Sequence, residues 1–463
     1  MKQGKSSPDT GQVKEEEMTD SYELKARAQA AIDRRGGWLA SVVDAIRRNP
    51  ELGFREVQTS RLVSRKLTEL GVGHANGIAL TGIKGYLEGG GEGPAIAIIG
   101  ELDALRVLGH PDSDAVTGAA HACGHNCQIG MMLGVAVGLS APGVLDALSG
   151  RVALMALPAE EFVDVEHRWR LHEEGKLGLM SGKQEFIRLG AFDDVDMAMM
   201  VHTSASARDA RFSVGGTSNG HLVKHVTFLG KAAHAGGSPH RGVNALQAAL
   251  VALNAVNAQR ETFKDEDVIR LHGILTEGGT AANSTPAEVR YEGRVRGATL
   301  DAIDDANRKV DRCLRAGAMA LGARVNIVTI PGYLPMVHDE TLMDVFGESA
   351  EALVGQGSFT RHPGDRVRGG STDMGDLSHI MPVIHPYTGG ATGMGHGIDY
   401  IINDFEQAVI KPAKAMAMAV IDLLSDGAAK ANEVLEKSPP RMTKREYLRL
   451  QESRLTVEDY EGK

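Results

Sequence analysis

The chain is poor in cysteine and has no excess of positive charge. Its three cysteines, Cys123, Cys127 and Cys313, are too few for a disulfide framework, and the first two flank a histidine, which suits a reducing compartment. The 50 lysines and arginines stand against 60 acidic residues, so the net charge is −10. This balance argues against nucleic acid as the main partner.

Long apolar runs and a secretory signal are also missing. No uncharged apolar run reaches the roughly 18 residues that a membrane-spanning helix needs. The first residues show no basic segment followed by an apolar segment and a cleavage site. We therefore expect a cytoplasmic protein without a membrane partner.

The length of 463 residues predicts more than one domain. We expect residues 1–20, which are polar, to be disordered, and residues 431–463 to form a charged tail. Between them, residues 21–214 and 329–430 are predicted to form an α/β catalytic domain, with a mixed sheet and helices on both faces. Residues 215–328 read as strand, helix, strand, strand, helix, strand, which predicts an inserted α+β domain of ferredoxin-like type.

Three apolar strands of the predicted catalytic domain are each followed by acidic residues or a histidine. Residues 94–100, 151–157 and 196–201 are apolar apart from the first residue of the second and third ranges, Arg151 and Asp196, as in strands covered on both faces. The polar residues that follow these strands are Asp103, then Glu160 and Glu161, then His202. Open α/β sheets place their ligands at the carboxyl ends of such strands. Alone, Asp103 reads equally well as a turn cap, and the Glu pair as a solvated loop.

A cysteine and a histidine two residues apart precede a predicted buried helix. Cys123 and His125 lie just before the apolar run of residues 129–139. Thiolate and imidazole are ligands that suit zinc, manganese and similar ions. A lone cysteine is more often a small buried apolar residue. Together with three strand ends that carry metal-type ligands, however, this pair predicts a metal site.

Short motifs in the same order along nearly the whole chain resemble those of the M20 metallopeptidases, the family of aminoacylases and carboxypeptidases. The branch that they resemble holds auxin-conjugate amidohydrolases and p-aminobenzoyl-glutamate hydrolase, and Asn126 after His125 favours the latter. The motifs are Gly100-Glu-Leu-Asp103-Ala-Leu, His121-Ala-Cys123-Gly-His125-Asn, Pro158-Ala-Glu160-Glu161, Val201-His202, Ala233-His234-Ala-Gly-Gly-Ser-Pro, Ser371-Thr-Asp373-Met-Gly-Asp376 and Gly395-His396-Gly.

The resemblance implies a site for two divalent ions, manganese or zinc. The implied ligands are Cys123, His125, Glu161, His202 and His396, with the cysteine in the place of a bridging carboxylate. Glu160 would then be the general base, and Asp103 would orient a ligand histidine.

The resemblance also implies a homodimer or a higher homo-oligomer, in which the inserted domain serves for dimerisation and as a lid. His234 would reach across the dimer interface and hold the developing oxyanion. Asn283 and Arg296 stand at positions that look like contacts to a substrate carboxylate.

The expected activity is hydrolysis of an amide C–N bond by metal-activated water. The substrate would be a small N-acyl amino acid or an aminobenzoyl-glutamate-like molecule. One alternative is an aminohydrolase that releases ammonia from a small aromatic amine such as an aminobenzoate, with Arg168, Arg170 and His172 holding its carboxylate. Another is a non-catalytic metal-binding partner subunit. Residues 162–190, longer than a plain crossover, form either a solvated helix or a flap over the substrate.

Overall fold

The computed structural model describes residues 10–206 and 211–462, with side chains from residue 21 onward. The helices are α1 (Thr10–Arg34), α2 (Gly36–Arg47), α3 (Val57–Glu69), α4 (His125–Leu139), α5 (Val165–Glu173), α6 (Gly182–Leu189), α7 (Ala245–Ala258), α8 (Leu300–Leu321), α9 (Glu340–Val354), α10 (Met374–Ser378), α11 (Lys411–Leu424), α12 (Ala429–Lys437) and α13 (Lys444–Arg454). All of them are too short or too polar to cross a membrane, within the residues described.

The strands form two large sheets, a four-stranded sheet and short pairs. They are β1 (His74–Ile78), β2 (Gly82–Glu88), β3 (Gly91–Glu101), β4 (Leu105–Arg106), β5 (Ala119–Ala120), β6 (Ser149–Leu157), β7 (Met197–Met199), β8 (His202–Thr203), β9 (Phe212–Ser218), β10 (Gly220–Leu229), β11 (Arg270–Glu277), β12 (Glu288–Gly297), β13 (Arg324–Pro331), β14 (Phe359–Arg368), β15 (Val383–Ile384), β16 (Tyr387–Thr388), β17 (Ala391–Thr392), β18 (Ile401–Ile402) and β19 (Thr456–Tyr460).

The catalytic domain is built on a mixed sheet in the order β1-β2-β6-β3-β7-β15. Strands β6, β3, β7 and β15 run parallel, and β1 and β2 add an antiparallel edge. Alternate residues of β3 serve different faces: Ile96 and Ile98 pack with α4 and α11, whereas Ala97 and Ile99 pack with α6 and α10. Both faces are therefore covered, which explains the unbroken apolar sequence of the strand and confirms the predicted architecture.

The inserted domain is an antiparallel sheet, in the order β11-β12-β10-β13, with α7 and α8 on it. This is the predicted ferredoxin-like arrangement. Helix α8 approaches α7 closely because Gly317 has no side chain: a Cβ there would lie 2.5 Å from the carbonyl oxygen of Ala248 and 2.6 Å from the Cβ of Ala252.

The inserted domain begins later than residue 215. The glycines of residues 215–220 predict a turn, but residues up to Ser218 belong to β9, which pairs with β14 and β16 of the catalytic domain. A Cβ on Gly215 would lie 2.5 Å from the carbonyl oxygen of His362 in β14. Glycine therefore serves here for the close approach of two strands, and the chain enters the inserted domain at Gly220.

Both ends of the chain are more ordered than the composition predicts. Helix α1 already starts at Thr10, within the segment expected to be disordered, and residues 1–9 lie outside the described residues. The expected charged tail forms α12, α13 and β19. Tyr447 and Gln451, one helical turn apart, are fully buried and donate to the carboxylate of Asp376 at 2.8 Å each. Strand β19 pairs with β13 as a fifth strand of the inserted sheet.

We expect Gly317→Ala to destabilise the protein by about 1–3 kcal/mol, because the new Cβ meets backbone atoms that cannot move aside. Elsewhere in a helix the same substitution is neutral or favourable. Gly37→Ala in α2 is the matched control, since no atom lies within 4 Å of the Cβ position. Thermal unfolding followed by circular dichroism measures both. Equal stability of the two variants would contradict the close packing of α7 on α8.

Candidate metal centre

The carboxyl ends of three parallel strands meet at one edge of the catalytic sheet. Strands β6, β3 and β7 are neighbours in that order. Glu101 ends β3, Glu160 and Glu161 follow β6, and His202 follows β7 in the short strand β8. The sheet topology therefore brings together groups that lie far apart in sequence, as the three strand ends predict.

A tight turn adds Cys123 and His125 to this edge. Gly124 between them has φ 85°, and a Cβ on it would lie 2.0 Å from the Oγ1 of Thr203, the residue next to His202. Only glycine fits a turn with this dihedral angle at so short a distance. As a result, the Sγ of Cys123 lies 3.3 Å from the Nε2 of His202.

The five residues that sequence resemblance implies as ligands come together in two groups that share Cys123. One group is Cys123, His125 and His202, and the other is Cys123, Glu161 and His396; within each group the potential ligand atoms lie within 4.8 Å of one another. His396 reaches the site from the glycine-rich loop, where its backbone N–H donates to the carbonyl of Ala122 at 2.9 Å. Its Nε2 lies 3.1 Å from the Oε1 of Glu161.

The carboxylate of Asp103 holds one residue of each group. Its Oδ1 lies 3.2 Å from the Nδ1 of His125, and its Oδ2 accepts the backbone N–H of Glu161 at 2.8 Å. Asp103 is fully buried. When Nδ1 of His125 donates to this carboxylate, Nε2 is left as the ligand atom that faces the site. This is the geometry of the orienting role predicted for Asp103.

A buried ion cluster beside the site was not predicted. The Nζ of Lys183 donates to Glu101 and to Asp373, at 2.5 Å each, and all three side chains are buried. The free oxygen of Glu101 lies 3.0 Å from the Nε2 of His125, and Glu160 completes a third group of potential ligands with these two. Glu101 and Asp373 stand inside the quoted motifs, whereas Lys183 lies in the segment expected to be a solvated helix or a flap.

The two adjacent glutamates have opposite electrostatic environments. Burial raises the pKa of Glu160 well above its usual range, and the charges of Glu101 and Glu161 raise it further. Burial also acts to raise the pKa of Glu161, but the neighbouring His396 and His125 outweigh it and hold the pKa well below the usual range. Glu161 is therefore an anion that suits a ligand, whereas the Glu160 carboxyl holds its proton more strongly than an ordinary glutamate does.

The surroundings of Cys123 also favour its thiolate anion. Burial and the charge of Glu161 act to raise the pKa of Cys123, but His202 and His125 outweigh them and lower this pKa to about 6. Among the described residues, the buried atoms His125 Nε2, Glu161 Oε1 and Glu101 Oε2 make no hydrogen bond of regular geometry, although the first and third lie 3.0 Å apart and the second lies 3.1 Å from Nε2 of His396. Thiolate, imidazole and carboxylate donors that face one another in this way fit divalent zinc or manganese.

The residues predicted on the inserted domain lie in two places. His234 and Asn283 are exposed and lie on neighbouring loops, joined through the backbone bridge of His234 with Ser284. Arg296 faces the catalytic domain instead: it donates from Nη1 to the Oγ of Ser371 at 3.0 Å and from Nε to His272 at 3.1 Å.

The segment of residues 162–190 is packed against the site rather than solvated. Arg168 is buried, and its guanidinium donates to the carbonyls of Ala159, Glu161, Val163 and Met180. Its N–H groups thus satisfy the backbone of the loop that carries the two glutamates. Arg168 is consequently not available to hold an aromatic carboxylate, as the aminohydrolase alternative required. Arg170 is exposed beside His167, and the Nδ1 of His172 lies 3.0 Å from the carbonyl of Leu177.

Comparison with known proteins agrees with this architecture. Residues 217–320 match the peptidase dimerisation domain of the M20 family. The resemblance to the M20 peptidases is confirmed. The Xaa-Arg dipeptidase of Mus musculus is 29% identical over 335 residues, which are 69% of this chain and 70% of that relative. The IAA-amino acid hydrolase ILR1-like 2 of Arabidopsis thaliana is 28% identical over 334 residues, 70% of each chain.

A solved structure shows that the likeness of fold covers most of the chain. A dinuclear metal-binding peptidase of the M20 family from Bacillus subtilis superposes with a TM-score of 0.61 at 20% identity, over 85% of this chain and 99% of that chain. At this identity the superposition shows a shared fold. Together with the relatives, it shows that the chain is similar to hydrolases of the M20 family.

We predict that the protein binds up to two divalent ions per chain and that Cys123→Ser loses most of both, because both ligand groups include this thiolate. Cys127→Ala is the matched control: this thiol is fully buried in the apolar core and belongs to none of the ligand groups found among the described residues. Elemental analysis after dialysis gives the metal content. Full metal content in Cys123→Ser, or equal loss in both variants, would refute the shared ligand.

Proposed function

We propose that the protein is a metal-dependent amidohydrolase that cleaves the amide C–N bond of a small N-acylated amino acid. One observation carries the proposal: two ligand groups share Cys123, and a buried carboxyl, that of Glu160, lies beside them outside both groups. Such a site offers ligands for two cations and a separate acid–base group. A purely structural metal site would have no use for the additional carboxyl.

The roles of the side chains follow from their positions. Bound cations would supply the Lewis acid that polarises the amide carbonyl and acidifies water. Glu160 takes a proton from the attacking water and returns it to the leaving amine nitrogen. The hydroxyl of Tyr333 donates to the backbone carbonyl of Glu160, which holds this residue in place. Asp103 holds the imidazole of His125 and the backbone of Glu161 in place through the two contacts described above.

A free carboxylate on the substrate is the second part of the proposal. Arg296 is half-buried and points from the inserted domain to Ser371 of the catalytic domain. A guanidinium group there can bind a carboxylate in bidentate fashion. The relatives named for hydrolysis of dipeptides and of amino acid conjugates support an amide whose leaving group is an amino acid.

The two alternatives receive less support. The aminohydrolase reading relied on Arg168, whose guanidinium is occupied by four backbone carbonyls. A non-catalytic subunit would not need Glu160, yet this carboxyl is kept buried at the cost of desolvation.

The activity is tested with an amine-release assay on N-acyl amino acids, p-aminobenzoyl-glutamate and aminobenzoates, with and without added manganese. We expect metal-dependent release of the amino acid or arylamine.

Glu160→Gln should lower kcat at least about 100-fold with unchanged metal content, since it removes a base. Glu161→Gln should lower both activity and metal content. Ammonia release from an aminobenzoate alone would favour the aminohydrolase, and equal metal loss in the two variants would refute the division of roles.

We also propose that His234 acts in the site of a partner subunit, because it lies exposed on the dimerisation domain. His234→Ala and Glu160→Gln should each be inactive as homodimers. After the two are mixed and subunits exchange, each heterodimer contains one intact site, so activity should return to about a quarter of wild type. Size-exclusion chromatography confirms dimers. No recovery after exchange, or a fully active monomer, would show that His234 does not act across the interface.

A further inference from the structure

The two chain segments that join the inserted domain to the catalytic domain are short and pack against each other. The chain enters the inserted domain at Gly220 and leaves it through Gly332, the residue after β13. A Cβ on Gly220 would lie 2.6 Å from the carbonyl oxygen of Tyr333, and one on Gly332 would lie 2.5 Å from the carbonyl oxygen of His221. Two short connections of this kind can serve as a hinge. The other contacts between the domains therefore decide whether the inserted domain moves.

An apolar cluster, here called the interdomain cluster, fills the space between the two domains. Strands β10 and β13 alternate: Val226 and Ile327 pack with the helices of the inserted domain, whereas Val223 and Val328 lie on the opposite face of the sheet. The segment of residues 162–190 covers this opposite face. The interdomain cluster consists of Phe162, Val165, Met180, Val223, Val328, Ile330 and Tyr333, each at most 3% exposed.

Polar contacts join the same two surfaces beside the cluster. Arg294 of β12 donates to the backbone carbonyl of Phe162. The carboxylate of Glu166 in α5 lies 3.4 Å from the Nε2 of His225 and 3.7 Å from the Nη1 of Arg290. These contacts connect the sheet of the inserted domain with the segment that follows the two glutamates of the metal centre, and all of them break if the sheet rotates away.

The C-terminal residues cross the same boundary a second time. Gln451 donates from Nε2 to the carboxylate of Asp376 at 2.8 Å and to the carbonyl of Gly332 at 3.3 Å. Arg454 donates to Asp304 of α8 at 2.8 Å, and β19 then pairs with β13. Leu455, between these contacts, packs on the interdomain cluster. Helix α13 is thus held by the catalytic domain and β19 by the inserted domain.

From these contacts we propose that residues 162–190 and 443–460 latch the inserted domain onto the catalytic domain, so that the cleft over the metal centre is preformed and the domain does not swing as a lid. A swing would expose the interdomain cluster to water and break the hydrogen bonds of Arg294 and Gln451. With the latch in place, Arg296 keeps its contact with Ser371 whether or not a ligand is bound. This departs from the lid role that the sequence resemblance implies, and it is independent of which bond the enzyme cleaves.

The distance between the domains is measured in the full-length protein by double electron–electron resonance. Nitroxide labels are attached through a ketone-bearing non-natural amino acid at Arg65 in α3 and Arg312 in α8, which are both exposed, so that the thiol of Cys123 stays unmodified. Dilution with unlabelled protein limits the signal to distances within one chain. We expect one narrow distribution. Two distances, or a distance that shifts when zinc or p-aminobenzoyl-glutamate is added, would overturn the proposal.

A charge placed in the interdomain cluster tests what holds the domains together. The carboxylate of Val328→Asp is solvated only if the domains separate, so this variant should broaden the distribution at least about twofold. Val457→Asp is the matched control: Val457 lies directly opposite Val328 on β19 but is 57% exposed, so the distribution should stay narrow.

A milder variant covers the case that Val328→Asp does not fold, which circular dichroism detects. Val328→Ala combined with Ile330→Ala removes apolar contacts of the cluster without adding a charge, and it should broaden the distribution in the same direction. A folded variant of either kind with a distribution as narrow as that of the wild type would show that the cluster does not hold the domains together. Equal broadening in Val457→Asp would also overturn the proposal.

Discussion

The site depends on the buried carboxylate of Asp103, which ties three separate elements together. It follows β3, contacts His125 at the start of α4, and accepts the backbone N–H of Glu161 after β6. A buried carboxylate is stable only when it is hydrogen-bonded, so the fold must keep all three elements in register. The same contacts that satisfy this charge aim one potential ligand of each group into the centre. Stability and ligand geometry therefore rest on the same few bonds.

The concentration of acidic groups at this edge needs compensation within the protein. Lys183 supplies it: fully buried, it lies between Glu101 and Asp373, and its pKa is raised because these carboxylates outweigh the effect of burial. Buried ion pairs often gain little net stability, and removing one partner is costly. We interpret this cluster of Lys183, Glu101 and Asp373 as a consequence of placing several anionic ligands for cations at one site. Arg168 similarly donates hydrogen bonds to the backbone carbonyls of the loop that carries Glu160 and Glu161.

The C-terminal residues connect the two domains. Helix α13 buries Tyr447 against Asp376 of the catalytic domain, and β19 then extends the sheet of the inserted domain. Arg454, between them, donates to Asp304 at the beginning of α8. One short segment thus contacts both domains, which restrains the position of the inserted domain over the metal centre. The contact of Arg296 with Ser371 depends on that position.

The sequence by itself determined the three apolar strands of the catalytic sheet, the inserted α+β domain and the five potential ligands that its motifs imply. Apolar runs and ligand motifs are local patterns, and the parallel order of β6, β3 and β7 then places their ends together. Only the tertiary structure decided the role of Lys183, whose partners lie 82 and 190 residues away. It also decided that Arg168 is buried and that the charged C-terminal residues join a sheet. Such contacts pair polar groups across the fold, and a polar side chain has the same local pattern whether it meets water or a distant partner.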